Sequence, residues 1–300
     1  MKDITYIILV NYNGINDTKK CIESIRKNEK NLNYKIVVVD NASTDDSVEK
    51  LKDIEDIIFL ESRENLGFAK GNNLAIKYAL EQNAKCVILL NNDTEIEENA
   101  LGLLYNVAYE HPEVGVMGSR IMYYDDKELI NYCGGHINWL KAIPVHENEK
   151  QKYSGNNFDF KYTEFITGCC MLIKREVLEK VGMLPEEYFM YYEDTDYCVN
   201  ILNNGYKLGV NENSVIYHKV SASSGGAENP FAFKWCSRNR LIFMNKYKKQ
   251  TKGIFTYLYY YLTSIIHVIQ YDEKKSKAIL EGMKMGRAYL NDKKSNKLKK

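Results

Sequence analysis

Two short apolar runs in this chain stop at carboxylates. Val87-Ile88-Leu89-Leu90 ends at Asn91-Asn92-Asp93, and Ile36-Val37-Val38-Val39 ends at Asp40, followed by Asn41-Ala42-Ser43-Thr44-Asp45. Each run reads as a buried parallel strand. In an open α/β sheet, ligands bind just outside the carboxyl ends of the strands. Asp93 is therefore presented where a metal or a phosphate can be held. One carboxylate plus a diphosphate suits Mg2+ or Mn2+, which take oxygen ligands and keep water and substrate phosphates in their shells. Taken alone, the triplet also reads as an Asx turn after a strand. A second acidic group, Glu193-Asp194-Thr195-Asp196, opens a helical stretch. Favourable charge at a helix N-terminus accounts for one or two of these acids. Crowded carboxylates also raise one another's pKa, which suits a general base near neutral pH.

Softer signals surround these two. His218 closes the run Val215-Ile216-Tyr217. It gains a metal role only if its strand lies beside the one carrying Asp93. The small-residue loop Ser221-Ala222-Ser223-Ser224-Gly225-Gly226 offers N–H groups and hydroxyls to phosphate, or serves as a plain connector. Arg238-Asn239-Arg240 lies on a helical pattern, where a guanidinium fork suits diphosphate oxygens and a solvated face is the default. In Arg63-Glu64-Asn65-Leu66-Gly67-Phe68-Ala69-Lys70-Gly71-Asn72-Asn73, two glycines allow close backbone approach and the asparagines can bond a base or ribose. The segment is not a G-x-G-x-x-G fingerprint, and no Walker A motif occurs.

The elements that must position these groups follow from periodicity. Strands are expected at Ile4–Val10, Lys35–Asp40, Ile57–Leu60, Cys86–Leu90 and Val114–Ile121, with helices near 17–29, 45–53, 72–82 and 97–110 between them. Asp17 and Asp45 or Asp46 are expected N-caps. Such alternation gives a mostly parallel sheet with helices on both faces. Residues 123–162 read as an irregular connection with a hairpin around Gly134-Gly135. Order resumes with a strand over Phe165–Lys174, a short helix at Glu176–Val181, a helix at 194–203 and a strand at Ser214–His218. From Phe231 onward the pattern is helical, so the chain divides into residues 1–230 and a helical extension, 231–300.

Composition is that of a globular chain, 45% hydrophobic and 27% charged. The net charge of +1 hides an asymmetry. From Lys246 to Lys300 there are 14 Lys/Arg against 4 Asp/Glu, and the first 245 residues carry 27 against 36. A basic tail on an acidic body invites an anionic partner. The 254–271 stretch, with five tyrosines and many Ile/Leu, is too interrupted for a membrane span and reads as an interfacial or core-packed helix. The 7 cysteines contain no Cys-x-x-Cys pair, which points to a reducing compartment rather than a disulfide or zinc framework. The N-terminus has no signal-peptide pattern, so the expected location is cytoplasmic.

In their order these segments resemble the family 2 inverting glycosyltransferases of the GT-A fold, and most of all the rhamnosyltransferase-like branch. The pieces are Val10-Asn11-Tyr12-Asn13, Val39-Asp40-Asn41-Ala42-Ser43-Thr44-Asp45, Asn65-Leu66-Gly67-Phe68-Ala69-Lys70-Gly71-Asn72, Leu90-Asn91-Asn92-Asp93, Thr167-Gly168-Cys169-Cys170-Met171-Leu172-Ile173-Lys174-Arg175, Glu193-Asp194-Thr195-Asp196 and His218. The resemblance implies that Asp40 accepts a hydrogen bond from the pyrimidine base, with Asn11, Arg63 and Asn65 nearby. It makes Asp93 the metal carboxylate and His218 a further metal or diphosphate ligand, and it makes Asp194 the general base with Glu193 as rival. Asn13, Asn41, Gly71, Asn72, Asn92, Gly168, Ser223 and Arg238 fall with the donor site. Two departures are plain: the metal triplet begins with Asn91, and Leu184-Pro185-Glu186-Glu187 stands where the family often has Phe-Asp-Glu.

The implied reaction moves a sugar, rhamnose from dTDP-rhamnose first and a UDP-sugar second, to a glycan or lipid-linked acceptor of a bacterial surface polysaccharide. The tail would then hold the enzyme peripherally at the inner membrane face, with no nucleic acid involved. The alternatives are a sugar-1-phosphate nucleotidyltransferase and a non-catalytic glycan- or nucleotide-binding module. The first needs a basic, Gly-rich phosphate loop after the first strand, where this chain has Asn11-Tyr12-Asn13-Gly14.

Overall fold

The computed structural model describes residues 3–155, 159–220 and 229–298. They form two compact units. The first holds the described residues of Met1–His136, His146–Phe189 and Glu193–Ser223, and the second those of Ile137–Val145, Met190–Tyr192 and Ser224–Lys300. In chain order the elements are β1 (Thr5–Asn11), α1 (Ile15–Asn28), β2 (Tyr34–Asp40), α2 (Ser47–Lys52), β3 (Ile57–Glu61), α3 (Gly67–Glu81), β4 (Cys86–Leu90), β5 (Thr94–Ile96), α4 (Ala100–Glu110), β6 (Val114–Tyr123) and β7 (Ile130–Tyr132). Then come β8 (Gly135–Asn138), β9 (Ile143–His146), β10 (Lys161–Thr163), β11 (Cys170–Lys174), α5 (Arg175–Lys180), α6 (Glu193–Asn203) and β12 (Lys207–His218). The second unit carries α7 (Pro230–Lys246), α8 (Ile254–Gln270) and α9 (Glu273–Leu298).

The first unit is a mixed α/β body around one sheet, ordered β10-β12-β6-β11-β4-β1-β2-β3. Strands β4, β1, β2 and β3 are parallel neighbours, and β6 runs parallel to β12. Strand β11 lies antiparallel between β4 and β6. All five residues of β4 are buried, as expected of an unbroken apolar run covered on both faces. The chain turns left and right from β1, so the carboxyl ends of β1 and β4 flank the switch point where α/β sheets bind ligands. Two registers matter for the site. Asn11 pairs with Asp40 across β1 and β2. Thr94 pairs with His218 across β5 and β12, which brings His218 beside Asp93.

Several elements differ in extent from the sequence expectation. Helix α3 begins at Gly67 rather than near residue 72. The Gly67 N–H donates to Asn65 Oδ1 at 3.0 Å and the Leu66 N–H to Asn41 Oδ1 at 2.9 Å, so asparagines satisfy the open end of the helix. Strand β11 covers only Cys170–Lys174 of the expected Phe165–Lys174, because its partner β4 ends at Leu90, opposite Cys170. The hairpin in the middle region turns at 139–142 between β8 and β9, not at Gly134-Gly135. Asp17 sits in the first turn of α1 behind an N-cap at Gly14, whereas Asp45 Oδ1 accepts the Ser47 N–H at 3.0 Å at the start of α2.

Gly67 is required by its surroundings. Its φ is +73°, and a Cβ there would stand 2.1 Å from the Phe189 carbonyl oxygen. Gly67→Ala is expected to cost roughly 2–4 kcal/mol, from left-handed strain plus overpacking. Urea unfolding of the pair of proteins would measure it. In the second unit, α9 crosses α7 closely at Gly282 and Gly286, where added Cβ atoms would meet the Lys234 and Arg238 backbone at 2.1 and 2.9 Å. Among the described residues, no helix is long and apolar enough to cross a membrane.

Candidate active site

A chain of hydrogen bonds ties the carboxyl ends of β1, β2 and β4 together. Asn11 Nδ2 donates to Asp40 Oδ2 at 2.8 Å and to Ser43 Oγ at 3.1 Å. Thr18 Oγ1 donates to Asn11 Oδ1, and Asn92 Nδ2 to Thr18 Oγ1, both at 2.8 Å. Asp40 is fully buried and also accepts from the Ser43 N–H at 2.9 Å and its hydroxyl at 2.7 Å. Its carboxylate thus shapes the loop after β2. Asn13, in left-handed conformation, clamps that loop by accepting the Thr44 N–H at 2.7 Å. Asn41 donates to Asn65 Oδ1 at 3.1 Å and to the Gly67 carbonyl at 3.2 Å. Gly71 lies against Val10, and Asn72 donates to the Phe68 carbonyl at 2.9 Å, so these two serve the packing of α3. Arg63 and Asn65 are exposed.

Asp93 and His218 face each other at 3.2 Å, both largely buried. Burial alone would raise the Asp93 pKa, but the hydrogen bond and charge of His218, with Lys219 behind, hold it below the ordinary value. His218 Nε2 is also 3.3 Å from the Asn91 amide, and its Nδ1 is buried with no hydrogen-bond partner among the described residues. A carboxylate oxygen and an imidazole nitrogen brought together by two strands suit a divalent cation such as Mn2+ or Mg2+. No group of three His, Cys, Asp or Glu able to hold a metal occurs among the described residues. A cation held by this pair would take its other ligands from substrate phosphate and water. Lys219, which the sequence reading passed over, donates its N–H to the Asp93 carbonyl and pairs with Asp17 at 2.7 Å. It adds positive charge beside Asp93; its only signal in the sequence is that it follows His218.

The acidic helix start resolves into three different carboxyl groups. Asp194 is half-buried and accepts the Gly168 N–H at 3.1 Å, the Thr195 N–H at 2.6 Å and the Thr195 hydroxyl at 3.1 Å. Burial raises its pKa, and these donors limit the rise. Glu193 is buried, its Oε2 has no partner among the described residues, and burial together with the Asp194 charge raises its pKa well above the usual range. Asp196 is buried and accepts the Tyr188 hydroxyl at 2.7 Å. Three donors thus favour the ionised form of Asp194, whereas Glu193 is held towards its neutral form.

That distinction has a measurable consequence. A carboxyl whose folded pKa is raised contributes stability below its unfolded pKa, about 4.3 for glutamate, and loses it as pH rises through the folded value. Glu193→Gln is expected to raise the melting temperature at pH 8, to lose that advantage near pH 4, and to leave turnover within a few-fold of the unaltered chain. Melting curves and rates at both pH values test this.

One backbone segment joins the two centres. The Cys169 carbonyl accepts the Asn91 N–H at 2.9 Å, while the Gly168 N–H reaches Asp194. Phe68 packs against Gly168 from α3. Burial disfavours the thiolate at the cysteines of the sheet: it pushes Cys21 and Cys170 up to about 12, and Cys86 and Cys133 to about 11.

Ser223 lies outside the described residues. Arg238 belongs to the second unit, where it donates to Asn239 Oδ1 at 2.6 Å and lies against Trp235 and Tyr289. In the same unit, fully buried Asn239 donates to the Met190 and Tyr191 carbonyls, both at 2.8 Å. Tyr191 and Tyr192 have φ of 70° and 74°, a strained pair directly before Glu193. Asn239 thus holds the turn at Met190–Tyr191, which precedes Glu193 in the chain, a contact the Arg-Asn-Arg spelling did not suggest. Asn239→Ala is expected to cost about 1–3 kcal/mol and to lower kcat more than it changes KM, as kinetics beside a chemical melt would show.

Comparison with known proteins bears on this arrangement. The sequence model of Glycosyl transferase family 2 matches residues 6–182, which include Asn11, Asp40, Asp93 and Gly168 and stop short of Asp194 and His218. The chain is 26% identical over 258 residues to the low-salt glycan biosynthesis hexosyltransferase Agl10 of Haloferax volcanii, across 82% of this chain and 76% of the relative. It is 28% identical over 224 residues to the dTDP-rhamnosyl transferase RfbF of Shigella flexneri, across 75% and 72%. The fold resembles mannosyltransferase PcManGT from Pyrobaculum calidifontis, solved with GDP-Man and Mn2+, at a TM-score of 0.58 and 17% identity over 98% of this chain and 80% of that one. It also resembles GalNAc-T7 solved with UDP, GalNAc and Mn2+, at a TM-score of 0.63 and 14% identity over 80% of this chain and 47% of that one. These likenesses establish a GT-A α/β fold, and the matched span, more than half the sequence, establishes that the chain belongs to glycosyl transferase family 2.

Proposed function

We propose that this chain is a metal-dependent, inverting glycosyltransferase that moves a sugar from a nucleoside diphosphate donor to a glycan or lipid-linked acceptor. The observation that carries the reading is the segment Gly168-Cys169, which holds Asp194 on one side and the start of the Asn91–Asp93 turn on the other. Asp93 and His218 would hold Mg2+ or Mn2+, which when bound neutralises the developing charge of the nucleoside diphosphate leaving group. Lys219 adds a fixed positive charge to that side. Asp40, Asn11 and Ser43 keep the loop after β2 in one shape, and the exposed Arg63 and Asn65 would meet the base. Membership of the family, and two structural neighbours solved with a nucleotide or nucleotide-sugar and Mn2+, support a nucleotide donor and a divalent cation in general.

Asp194 takes the proton of the acceptor hydroxyl as its oxygen attacks the anomeric carbon from the face opposite the diphosphate. The Gly168 and Thr195 donors hold the carboxylate in one orientation during the attack. A single displacement needs one base and no covalent enzyme nucleophile, and the anomeric centre inverts. The relatives named for rhamnosyl transfer support dTDP-rhamnose as the first donor to test, with a UDP-sugar second, in synthesis of a surface polysaccharide. A donor panel with Mn2+, with products read by NMR for the anomeric configuration, tests the reading. Release of dTDP or UDP with an inverted linkage supports it. Pyrophosphate release from a nucleoside triphosphate and a sugar-1-phosphate would instead assign nucleotidyl transfer.

A further inference from the structure

Helix α8 is inside out for a helix in water. At about 100° per residue, Ile254, Leu258, Leu262, Ile265 and Ile269 form one stripe, with Phe255 and Ile266 on its edge. All seven are exposed, from 47% for Ile266 to 76% for Ile269. The opposite face, which is the buried one, carries hydroxyls: Thr256 donates to the Trp139 carbonyl at 3.2 Å, Tyr260 to the Ser237 carbonyl at 2.9 Å and Ser264 to the Tyr260 carbonyl at 2.8 Å. No described part of the chain covers the apolar stripe, which has no charged residue in it. Contiguous exposed apolar surface of this kind marks a binding face.

A second feature borders the stripe. Tyr257 and Tyr261, on one flank of α8, line a cavity of about 330 Å³ together with Lys248, Arg287 and Lys294. Arg287 lies over the Tyr261 ring at 5.2 Å, and among the described residues no ion pair with a carboxylate is formed by any of the three cations. Lys249 and Lys252 precede the helix and Lys274 follows it, while Asp272 and Glu273 are taken up by Lys275 and Lys277.

We propose that α8 lies in the plane of a bilayer containing anionic lipids, with its apolar stripe among the acyl chains and phosphate headgroups in the Lys248–Arg287–Lys294 cavity. Apolar side chains on one face, tyrosines at the flanks and basic groups at the rim are the pattern of a helix lying in the interface. A second copy of the chain is the poorer occupant, because a self-complementary contact across this stripe brings the same basic rims together. The inference extends the lipid-linked acceptor of the proposed function, and it is read without any transfer reaction, so either can fail alone.

The test is co-sedimentation of the full chain with vesicles of phosphatidylcholine alone or mixed in equal parts with phosphatidylglycerol. The chain is expected to pellet with the mixed vesicles and to be released by high salt. Combined Leu258→Ser, Leu262→Ser and Ile265→Ser should lower partition about a hundredfold, and combined Lys248→Gln, Arg287→Gln and Lys294→Gln should lower it about tenfold on anionic vesicles only. Ile269→Ser, at the most exposed position, is the milder variant and should lower partition several-fold with an unaltered melting curve. The proposal is overturned if the chain stays in the supernatant with both vesicles, or if the stripe variants pellet as well as the parent. A parent dimer that the stripe substitutions convert to a monomer, without vesicle binding, would assign the face to a second copy and overturn it equally.

Discussion

Asp194→Asn is expected to lower kcat by about 10³-fold while leaving nucleotide affinity near that of the unaltered chain. The amide keeps the size of the carboxyl and loses proton acceptance, but Gly168 donates to Oδ2 and Thr195 to Oδ1, so its single carbonyl oxygen can keep only one of these N–H bonds, and a melting curve of the variant separates that loss from the loss of the base. The pH dependence follows from the same group. A base works only when ionised, and burial lifts the Asp194 pKa above the ordinary aspartate value. Activity should therefore fall as pH drops through that raised value, tenfold per unit below it. Asp93, whose pKa is held below the ordinary value, stays ionised through this window and does not set the acid limb. Thr195→Val removes a hydroxyl donor that favours the ionised form, so it should move the acid limb to higher pH. Rates against pH for the parent and both variants check all three statements.

The second large effect is at Asp93. Asp93→Asn is expected to reduce kcat/KM by about 10³-fold, the scale on which loss of one leaving-group stabiliser is felt. The loss should persist at saturating Mn2+ if the carboxylate itself is the ligand. His218→Ala should cost less, since one imidazole is removed while the carboxylate remains. Lys219→Ala should mainly raise KM for the donor, because its charge acts on the bound diphosphate in ground and transition states alike. Circular dichroism of each variant separates these effects from unfolding, and steady-state kinetics with varied donor and metal gives the split.

Much of this arrangement was legible in the order of residues. The strands β1, β2 and β4 announce themselves as apolar runs, and each ends in the polar group that the site uses: Asn11, Asp40 and the Asn91–Asp93 triplet. What spacing could not supply was contact between distant segments. His218 stands beside Asp93 because β5 pairs with the end of β12, a register that no local pattern encodes. The glycines of the Asn65–Asn72 segment read as room for a ligand, yet Gly67 makes room for the Phe189 backbone and Gly71 for Val10. Asn239 was hidden between two arginines, although it is the amide that holds the turn before Glu193. Residues 123–162 carry weak periodicity because their short strands β7 to β10 are three or four residues long. The same limit applies to Glu193 and Asp194, adjacent in sequence, of which the first is buried and the second half-buried.

The proposed transfer requires a nucleoside diphosphate bound through a cation at Asp93 and His218. Calorimetric titration of dTDP and of UDP, with Mn2+ and without it, into the parent chain and Asp93→Asn tests that most directly. One nucleotide is expected to bind the parent in a metal-dependent way, Asp93→Asn to abolish the binding, and Asp194→Asn to retain it. Equal binding with and without metal, unchanged in Asp93→Asn, would contradict it.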